Sequence, residues 1–192
     1  MKKKIMAVLL IAVMMMTVVL TGCGSDSSKD SGDKETFKIG LVQLVEHTSL
    51  DQIRESIIEQ LEDEGYTDGK NIEIDYKNAQ NEQSNLKTIC QGFVADKVDV
   101  IVAITTPAAQ VAMGETEAIP VIFSAVTDPV AAGIVKDMEK PGGNITGTSD
   151  AVKVDQIMDL ASEITPGYKT VGALYNSSET NSVTTVKQLK EY

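Results

Sequence analysis

The sequence is poor in the side chains that catalysis and metal binding most often use. It has one histidine, His47, and two cysteines, Cys23 and Cys90. No Cys–His pair stands at catalytic spacing and no Gly-x-Ser-x-Gly motif occurs, so nucleophilic catalysis lacks its usual parts. Two cysteines supply neither a disulfide framework nor a metal cluster, and Cys90 falls on the apolar face of a predicted helix, as a buried inert thiol would. We expect no enzyme activity, no metal and no cofactor.

Basic residues are also scarce. Lysine and arginine together number 17 against 28 aspartates and glutamates, which gives a formal net charge of −11. Because nucleic acid binds proteins largely through cationic side chains on its phosphates, it is not an expected partner. The negative charge favours solubility and says nothing about a particular ligand.

The N-terminal segment has the features of a secretory signal. Three lysines follow Met1, an apolar run extends from Ile5 to Leu20, and the run ends in Leu20-Thr21-Gly22-Cys23. This tetrad resembles the bacterial lipobox, which implies cleavage before Cys23 and attachment of a diacylglycerol lipid to its sulfur. The alternative is an ordinary membrane anchor, but the run is shorter than the roughly 20 residues of a span. We predict a signal peptide over residues 1–22 and a protein anchored by lipid on the extracytoplasmic face of the cell membrane.

The sequence after the signal peptide predicts a flexible tether, one complete α/β lobe and the start of a second. Residues 23–36 are rich in Ser, Asp, Gly and Lys, which is typical of a flexible linker. Residues 37–147 alternate strands and helices, as expected of a complete lobe with a doubly wound parallel sheet. Residues 148–192 predict a crossover and the start of a similar second lobe, which we expect to be truncated. Predicted strands cover residues 37–45, 71–76, 98–104, 121–125, 145–150 and 170–175.

The predicted strand from Val98 to Ile104 is the feature around which the first lobe is organised. It is almost wholly apolar and mostly β-branched, as expected of a strand buried on both faces of a parallel sheet. Thr106 and Pro107 follow it as a predicted helix N-cap and first helical residue. A helix N-terminus at the carboxyl end of such a strand favours an anionic ligand group such as a carboxylate. Thr106 could also serve as a cap and nothing more.

Polar residues after the predicted strands are the candidates for ligand binding. An amino acid needs donors for its carboxylate and an anion for its ammonium group. Thr106 with the helix N-terminus would supply the donors, and Glu46, Asp128 or Asp150 would face the ammonium. Structural roles stay open as well: Asp128 could only brace the Asp-Pro turn, His47 could be a structural or rim residue, and Glu46 could be a solvated loop charge. The candidate set is Glu46, His47, Thr105, Thr106, Thr127, Asp128, Ser149, Asp150, Asn176, Ser178, Glu179 and Asn181.

A series of motifs in order resembles one known family. Besides the lipobox, they include Val42-Gln43-Leu44-Val45-Glu46-His47, Thr106-Pro107-Ala108-Ala109-Gln110, Phe123-Ser124-Ala125-Val126-Thr127-Asp128-Pro129-Val130 and Leu174-Tyr175-Asn176-Ser177-Ser178-Glu179. From Phe37 onward the chain resembles the ABC-transporter substrate-binding lipoproteins of the tryptophan/tyrosine type. The resemblance implies a type I periplasmic binding fold, in which two α/β lobes close on a ligand. It also implies an aromatic amino acid as that ligand and permease subunits as partners. The alternatives are a lipid-anchored surface hydrolase and a non-transport interaction module.

Overall fold

The computed structural model describes residues 36–192, in which strands and helices alternate as far as Val126 and are followed by one more strand and then two helices. The predicted signal peptide, Cys23 and the tether up to residue 35 lie outside the described residues. The strands are β1 (Phe37–Gln43), β2 (Ile72–Asn78), β3 (Val100–Ile104), β4 (Val121–Val126) and β5 (Ile145–Ser149). The helices are α1 (Thr48–Asp63), α2 (Gln83–Ala95), α3 (Thr106–Glu115), α4 (Val154–Ile164) and α5 (Thr180–Glu191).

The strands form one parallel sheet in the order β2-β1-β3-β4-β5. The chain moves outward from β1 to β2 and then returns past β1 to β3, so the strand order reverses between β1 and β3. This confirms the predicted doubly wound α/β class. In open sheets of this kind, ligands bind beyond the carboxyl ends of the strands next to such a reversal.

Each face of the sheet has its own apolar core. On one face, α2 and α3 cover the strands, and the ring of Phe93 packs so closely that a Cβ on Gly40 would lie 2.7 Å from it. On the other face, α1 contributes residues that include Ile57 and Leu61, which the helical spacing of the sequence predicted. On this face α1 does not extend over β4, and Ile122 of β4 is therefore 39% exposed. Within residues 36–192, no helix combines the length and apolarity that a membrane span requires.

Two of the strand predictions need correction. Residues 170–175 form no strand, and Leu174 is fully exposed while Val171 is about half exposed. A strand depends on a partner to pair with, and none of the described strands runs beside this segment. The predicted strand 145–150 does not leave the first lobe. As β5 it pairs with β4 as far as Ser149, so the sheet continues past residue 147, where the lobe was predicted to end.

Candidate functional site

The carboxyl ends of β1, β3, β4 and β5 meet at one edge of the sheet, because the strands are parallel. Eight of the predicted ligand residues lie in the segments that follow these ends: Glu46 and His47 after β1, Thr105 and Thr106 after β3, Thr127 and Asp128 after β4, and Ser149 and Asp150 at the end of β5. The fold therefore brings together candidates that are far apart in sequence. The four remaining candidates lie just before and at the start of α5.

The turn between β3 and α3 is the most distinctive part of this edge. Thr106 is 1% exposed, and within the described residues the hydroxyl oxygens of Thr105 and Thr106 are both buried without a hydrogen-bond partner. A buried polar group without a partner costs about 1–3 kcal/mol. The first N–H groups of a helix also lack intrahelical partners and carry partial positive charge. Two free hydroxyls beside the start of α3 thus form a donor-rich site suited to an anion.

The predicted N-cap at Thr106 is wrong by one residue. The helix begins at Thr106 and Thr105 occupies the cap position, but neither threonine side chain caps the helix by a hydrogen bond. The chain makes its turn at Thr105, whose φ of 97° and ψ of 159° place it outside the helix. Because neither hydroxyl is used in capping, both are left without a hydrogen-bond partner among residues 36–192.

Backbone strain is concentrated at the same edge. The conformation of Thr105 lies in a region that is essentially restricted to glycine. Ala125 has a φ of 54°, at the point where the pairing of β4 with β5 shifts register. The N–H of Thr105 donates to the carbonyl of Ser124 at 2.9 Å, which ties the two strained segments together. Such conformations cost about 1–3 kcal/mol each and cluster at ligand sites.

The loop between β1 and α1 carries two candidates with different roles. His47 is the N-cap of α1, and its Nδ1 accepts a hydrogen bond from the N–H of Ser49 at 3.3 Å. This is the structural role that the sequence left open for it. Glu46 is exposed and its carboxylate accepts no hydrogen bond within residues 36–192, so it is available at the sheet edge.

The candidates after β4 and β5 line a small cavity. Asp128 Oδ1 accepts a hydrogen bond from the N–H of Ala131 at 2.9 Å. Asp128 therefore braces its turn, which is the structural role considered for it in the sequence analysis. Ser149 Oγ donates to the carbonyl of Thr127 at 3.1 Å. These candidates lie against α5 around a cavity of about 200 Å³. Ligand pockets typically measure about 300–1,000 Å³, so this cavity can form only part of a ligand site. Asp150 is exposed beside it.

The candidates near α5 mostly bond to one another. Asn176 Nδ2 donates to Glu179 Oε1 at 2.9 Å, and the N–H and hydroxyl of Ser178 both donate to Asn176 Oδ1. These bonds shape the turn that leads into α5 and occupy the polar atoms involved. Asn181 differs, because its Oδ1 is buried without a partner among the described residues. It is the member of this group whose polar atom still needs a partner.

A polar network that the sequence motifs do not predict lies beneath the β1–α1 loop. Gln43, at the end of β1, is fully buried, and its Nε2 donates to the carbonyl of Val45 at 2.7 Å and to Asp51 Oδ1 at 2.8 Å. Arg54 donates to Asp51 Oδ1 at 3.1 Å and to the hydroxyl of Tyr76 at 2.9 Å. The signal for this network was a glutamine inside an otherwise apolar stretch, because a buried amide must find hydrogen-bond partners.

A larger groove lies away from the candidate residues. It measures about 600 Å³, runs along α1 beside β4, and is lined by apolar side chains that include Ile53, Ile57 and Leu61. None of the predicted ligand residues lines it. We place the candidate site at the sheet edge because the polar groups that could recognise an amino acid converge there.

The described residues offer little to thiol or metal chemistry. Cys90 is buried in the core between α2 and the sheet, where desolvation and the nearby charge of Glu115 raise the pKa of its thiol to about 12. A nucleophilic cysteine needs a lowered pKa, since the thiolate is the reactive form. Residues 36–192 also contain no group of three or more His, Cys, Asp or Glu side chains placed to hold a metal ion.

The parallel sheet with this strand order, flanked by helices and carrying its polar groups at the carboxyl edge, is a lobe of the type I periplasmic binding fold. The chain belongs to the family of ABC transporter substrate-binding proteins, whose family model matches residues 38–192. This confirms the family that the sequence motifs resemble.

Individual relatives agree with this assignment. The chain is 47% identical to a tyrosine-binding protein from Clostridioides difficile, with 99% of this chain and 57% of the relative covered. The structure is similar to a conserved domain protein from Vibrio cholerae, with a TM-score of 0.80, 43% identity, and 82% of this chain and 53% of that chain covered. It is also similar to an ABC domain from Streptococcus pneumoniae in complex with L-Trp, with a TM-score of 0.78, 46% identity, and 81% and 52% covered. The chain spans about half the length of the relatives it matches.

Proposed function

We propose that the full-length protein is the substrate-binding component of an ABC importer and captures a free aromatic amino acid, tyrosine or tryptophan. Family membership, a relative named for tyrosine binding and a similar structure in complex with L-Trp support this proposal. The observation that carries the site assignment is the pair of buried, unpartnered hydroxyls of Thr105 and Thr106 at the start of α3.

The ligand carboxylate binds at this helix N-terminus. The two threonine hydroxyls donate hydrogen bonds to it, and the free N–H groups of the first turn of α3 add a favourable partial charge. Hydrogen bonds to a charged group are roughly twice as strong as those between neutral groups. Binding therefore offsets the cost of keeping the hydroxyls of Thr105 and Thr106 buried without partners.

The ligand ammonium faces a carboxylate in the loop that follows one of the two strands next to β3. Neighbouring strands lie about 4.8 Å apart, so the loops after β1 and β4 are within reach of an amino acid bound at the end of β3. These loops carry Glu46 and Asp128. Asp150 follows β5, two strands away at about 10 Å, and fits less well. Asp128 already uses one carboxylate oxygen in its turn, which makes Glu46 the first residue to test.

The proposed role of the site is to bind the amino acid and release it to the permease, and this role requires no chemical reaction. In the full-length protein the ligand is held between this lobe and a second one and is then released to permease subunits. The single histidine already caps α1, and the pKa of the Cys90 thiol is raised to about 12, both of which support binding over catalysis. We therefore propose binding and release, and not catalysis, as the role of this site.

A thermal-shift screen of the twenty amino acids tests this function. At 100 times its dissociation constant, a ligand stabilises the folded state by about 2.7 kcal/mol. For a domain of roughly 150–250 residues, that corresponds to a rise in melting temperature of about 5–11 °C, and the rise is smaller for a longer protein. We expect this rise with tyrosine or tryptophan and a smaller one with aliphatic amino acids. Equal curves with and without every amino acid would contradict the proposal.

The lipid anchor is a second part of the proposed role, supported by the lipobox-like tetrad that ends in Cys23. Two acyl chains hold a protein stably at a membrane where one does not, which suits a receptor that must stay near its permease. Cys23→Ala should abolish incorporation of radiolabelled palmitate and leave an unprocessed precursor of higher mass. Cys90→Ala is the matched control and should label like the wild type. Equal palmitate incorporation in Cys23→Ala would show that Cys23 is not the lipidated residue.

A further inference from the structure

We infer that Gln43 is a positioning residue for the ligand site, which holds the β1–α1 loop (residues 44–47) and with it the Glu46 carboxylate at the sheet edge. This inference rests on the proposed function, because it concerns the same site. Gln43 stands at the last position of β1, directly next to the reversal of strand order between β1 and β3.

The hydrogen bonds of Gln43 assign it a positioning role and not a direct contact with ligand. Its side chain is fully buried, and a side-chain amide has two N–H donors. One donates to the carbonyl of Val45 within the loop, at 2.7 Å, and the other to Asp51 Oδ1 on α1, at 2.8 Å. With both donors in use, Gln43 has none left for a ligand. It instead joins the loop to the first turn of α1.

The backbone fixes the start of the loop but leaves its middle to this side chain. The carbonyls of Gln43 and Leu44 accept hydrogen bonds from the N–H groups of Ala79 and Asn81, at 2.9 and 2.8 Å. These bonds tie the end of β1 to the segment after β2. At the other end, the loop enters α1 at the His47 N-cap. Between these two anchors, the bond from the Gln43 amide to the Val45 carbonyl holds the segment that leads to Glu46.

A charged pair braces the acceptor on α1. Arg54 contacts Asp51 Oδ1 at 3.1 Å, and its guanidinium lies 4.6 Å from the ring centroid of Tyr76, whose hydroxyl it also meets at 2.9 Å. The Asp51 and Arg54 side chains are 30% and 18% exposed, so the pair is partly shielded from water. Tyr76 belongs to β2 and reaches the loop only through Arg54, so its hydroxyl should matter less to loop order than Asp51 does.

The test measures loop order directly in the ligand-free, full-length protein. Backbone ¹⁵N order parameters of Glu46 and His47 should be near 0.85 in the wild type and fall below about 0.6 in Gln43→Leu, which keeps the side-chain bulk but removes the amide. Asp51→Ala should have a similar but smaller effect. Asp51→Asn should restore the order, because its amide oxygen still accepts from Gln43. Tyr76→Phe, which keeps the ring but removes the hydroxyl that Arg54 contacts, should change both values less than Asp51→Ala does.

Two results would overturn the inference. The first is an unchanged order parameter at Glu46 in Gln43→Leu, and the second is an equal loss of order at Ile101 to Ile104 of β3, which would indicate general destabilisation. If Gln43→Leu does not fold, the Asp51→Ala and Asp51→Asn pair decides the same question.

The binding consequence is measured separately. Ordering a released loop on binding should weaken tyrosine affinity in Gln43→Leu by about 2- to 10-fold, with Asp51→Asn close to the wild type. An unchanged affinity in a variant with a disordered loop would contradict the link between Gln43 and the site. If the wild type binds no amino acid, the proposed function fails, while the order parameters still decide whether Gln43 positions the loop.

Discussion

Thr106→Val should weaken tyrosine or tryptophan binding by roughly 10- to 150-fold while making the ligand-free protein more stable. Valine keeps the shape of threonine but lacks the hydroxyl, so the ligand carboxylate loses one charge-assisted hydrogen bond of about 1.5–3 kcal/mol. In the ligand-free protein the same hydroxyl is buried without a partner, and its removal should add about 1 kcal/mol to the free energy of unfolding. Calorimetric titration gives the affinity, and urea unfolding gives the stability.

The expected loss of affinity and gain of stability in Thr106→Val distinguish a ligand contact from a residue that matters only for folding. A residue important only for folding would lose stability and affinity together when its side chain is changed. Thr106→Ser keeps the hydroxyl and is the matched control, with affinity expected within a few-fold of the wild type. An affinity of Thr106→Val equal to that of the wild type would place the carboxylate elsewhere, even if the stability rises as expected.

Gly147→Ala should destabilise the lobe strongly. Gly147 on β5 pairs with Phe123 on β4, and a Cβ at this position would lie 2.0 Å from the Phe123 carbonyl oxygen and 2.6 Å from its ring. Because the first of these atoms belongs to the backbone, only a shift of β5 can relieve the contact. We expect a loss of about 3 kcal/mol or more, at the upper end of the usual cost of overpacking. The melting temperature should fall by about 6–12 °C.

Gly143→Ala provides the control for this prediction. Gly143 lies four residues earlier in the same region, and a Cβ there would meet nothing within 4 Å. The free energy of unfolding of Gly143→Ala should stay within about 0.5 kcal/mol of the wild-type value, as for most surface substitutions. Similar melting temperatures for Gly147→Ala and Gly143→Ala would show that β5 is not held against β4 in the register described.

The sequence predicted the sheet better than it predicted the details of the site. Apolar stretches such as Val100–Ile104 must be buried on both faces, which specifies a parallel sheet covered by helices. The segment 170–175 shows the limit of such patterns. Its apolar residues satisfy the local pattern of a strand, yet strand pairing depends on the neighbouring segments and not on this segment alone.

At the site, the sequence patterns predict the loops that carry the candidate residues but not which of their polar atoms lack a hydrogen-bond partner. Thr106 was expected near the start of a helix, and it is there. The positive φ of Thr105 and the absence of a cap hydrogen bond depend on the local turn, which no pattern of residue types specifies. Gln43 is not among the candidates because it lies within β1, whereas the candidates are polar residues in the loops after the strands. Its partner Asp51 lies eight residues later, on a helix.

The central claim is that the free hydroxyls at the start of α3 bind the carboxylate of an aromatic amino acid. Calorimetric titration of the full-length protein with L-tyrosine and with tyramine tests it most directly, because tyramine keeps the ring and the ammonium group but lacks the carboxylate. We predict saturable binding of tyrosine at one site, and binding of tyramine at least about 100-fold weaker, since two buried hydroxyls would again be left without partners. Equal affinity for the two compounds, or no binding of either tyrosine or tryptophan, would contradict this account.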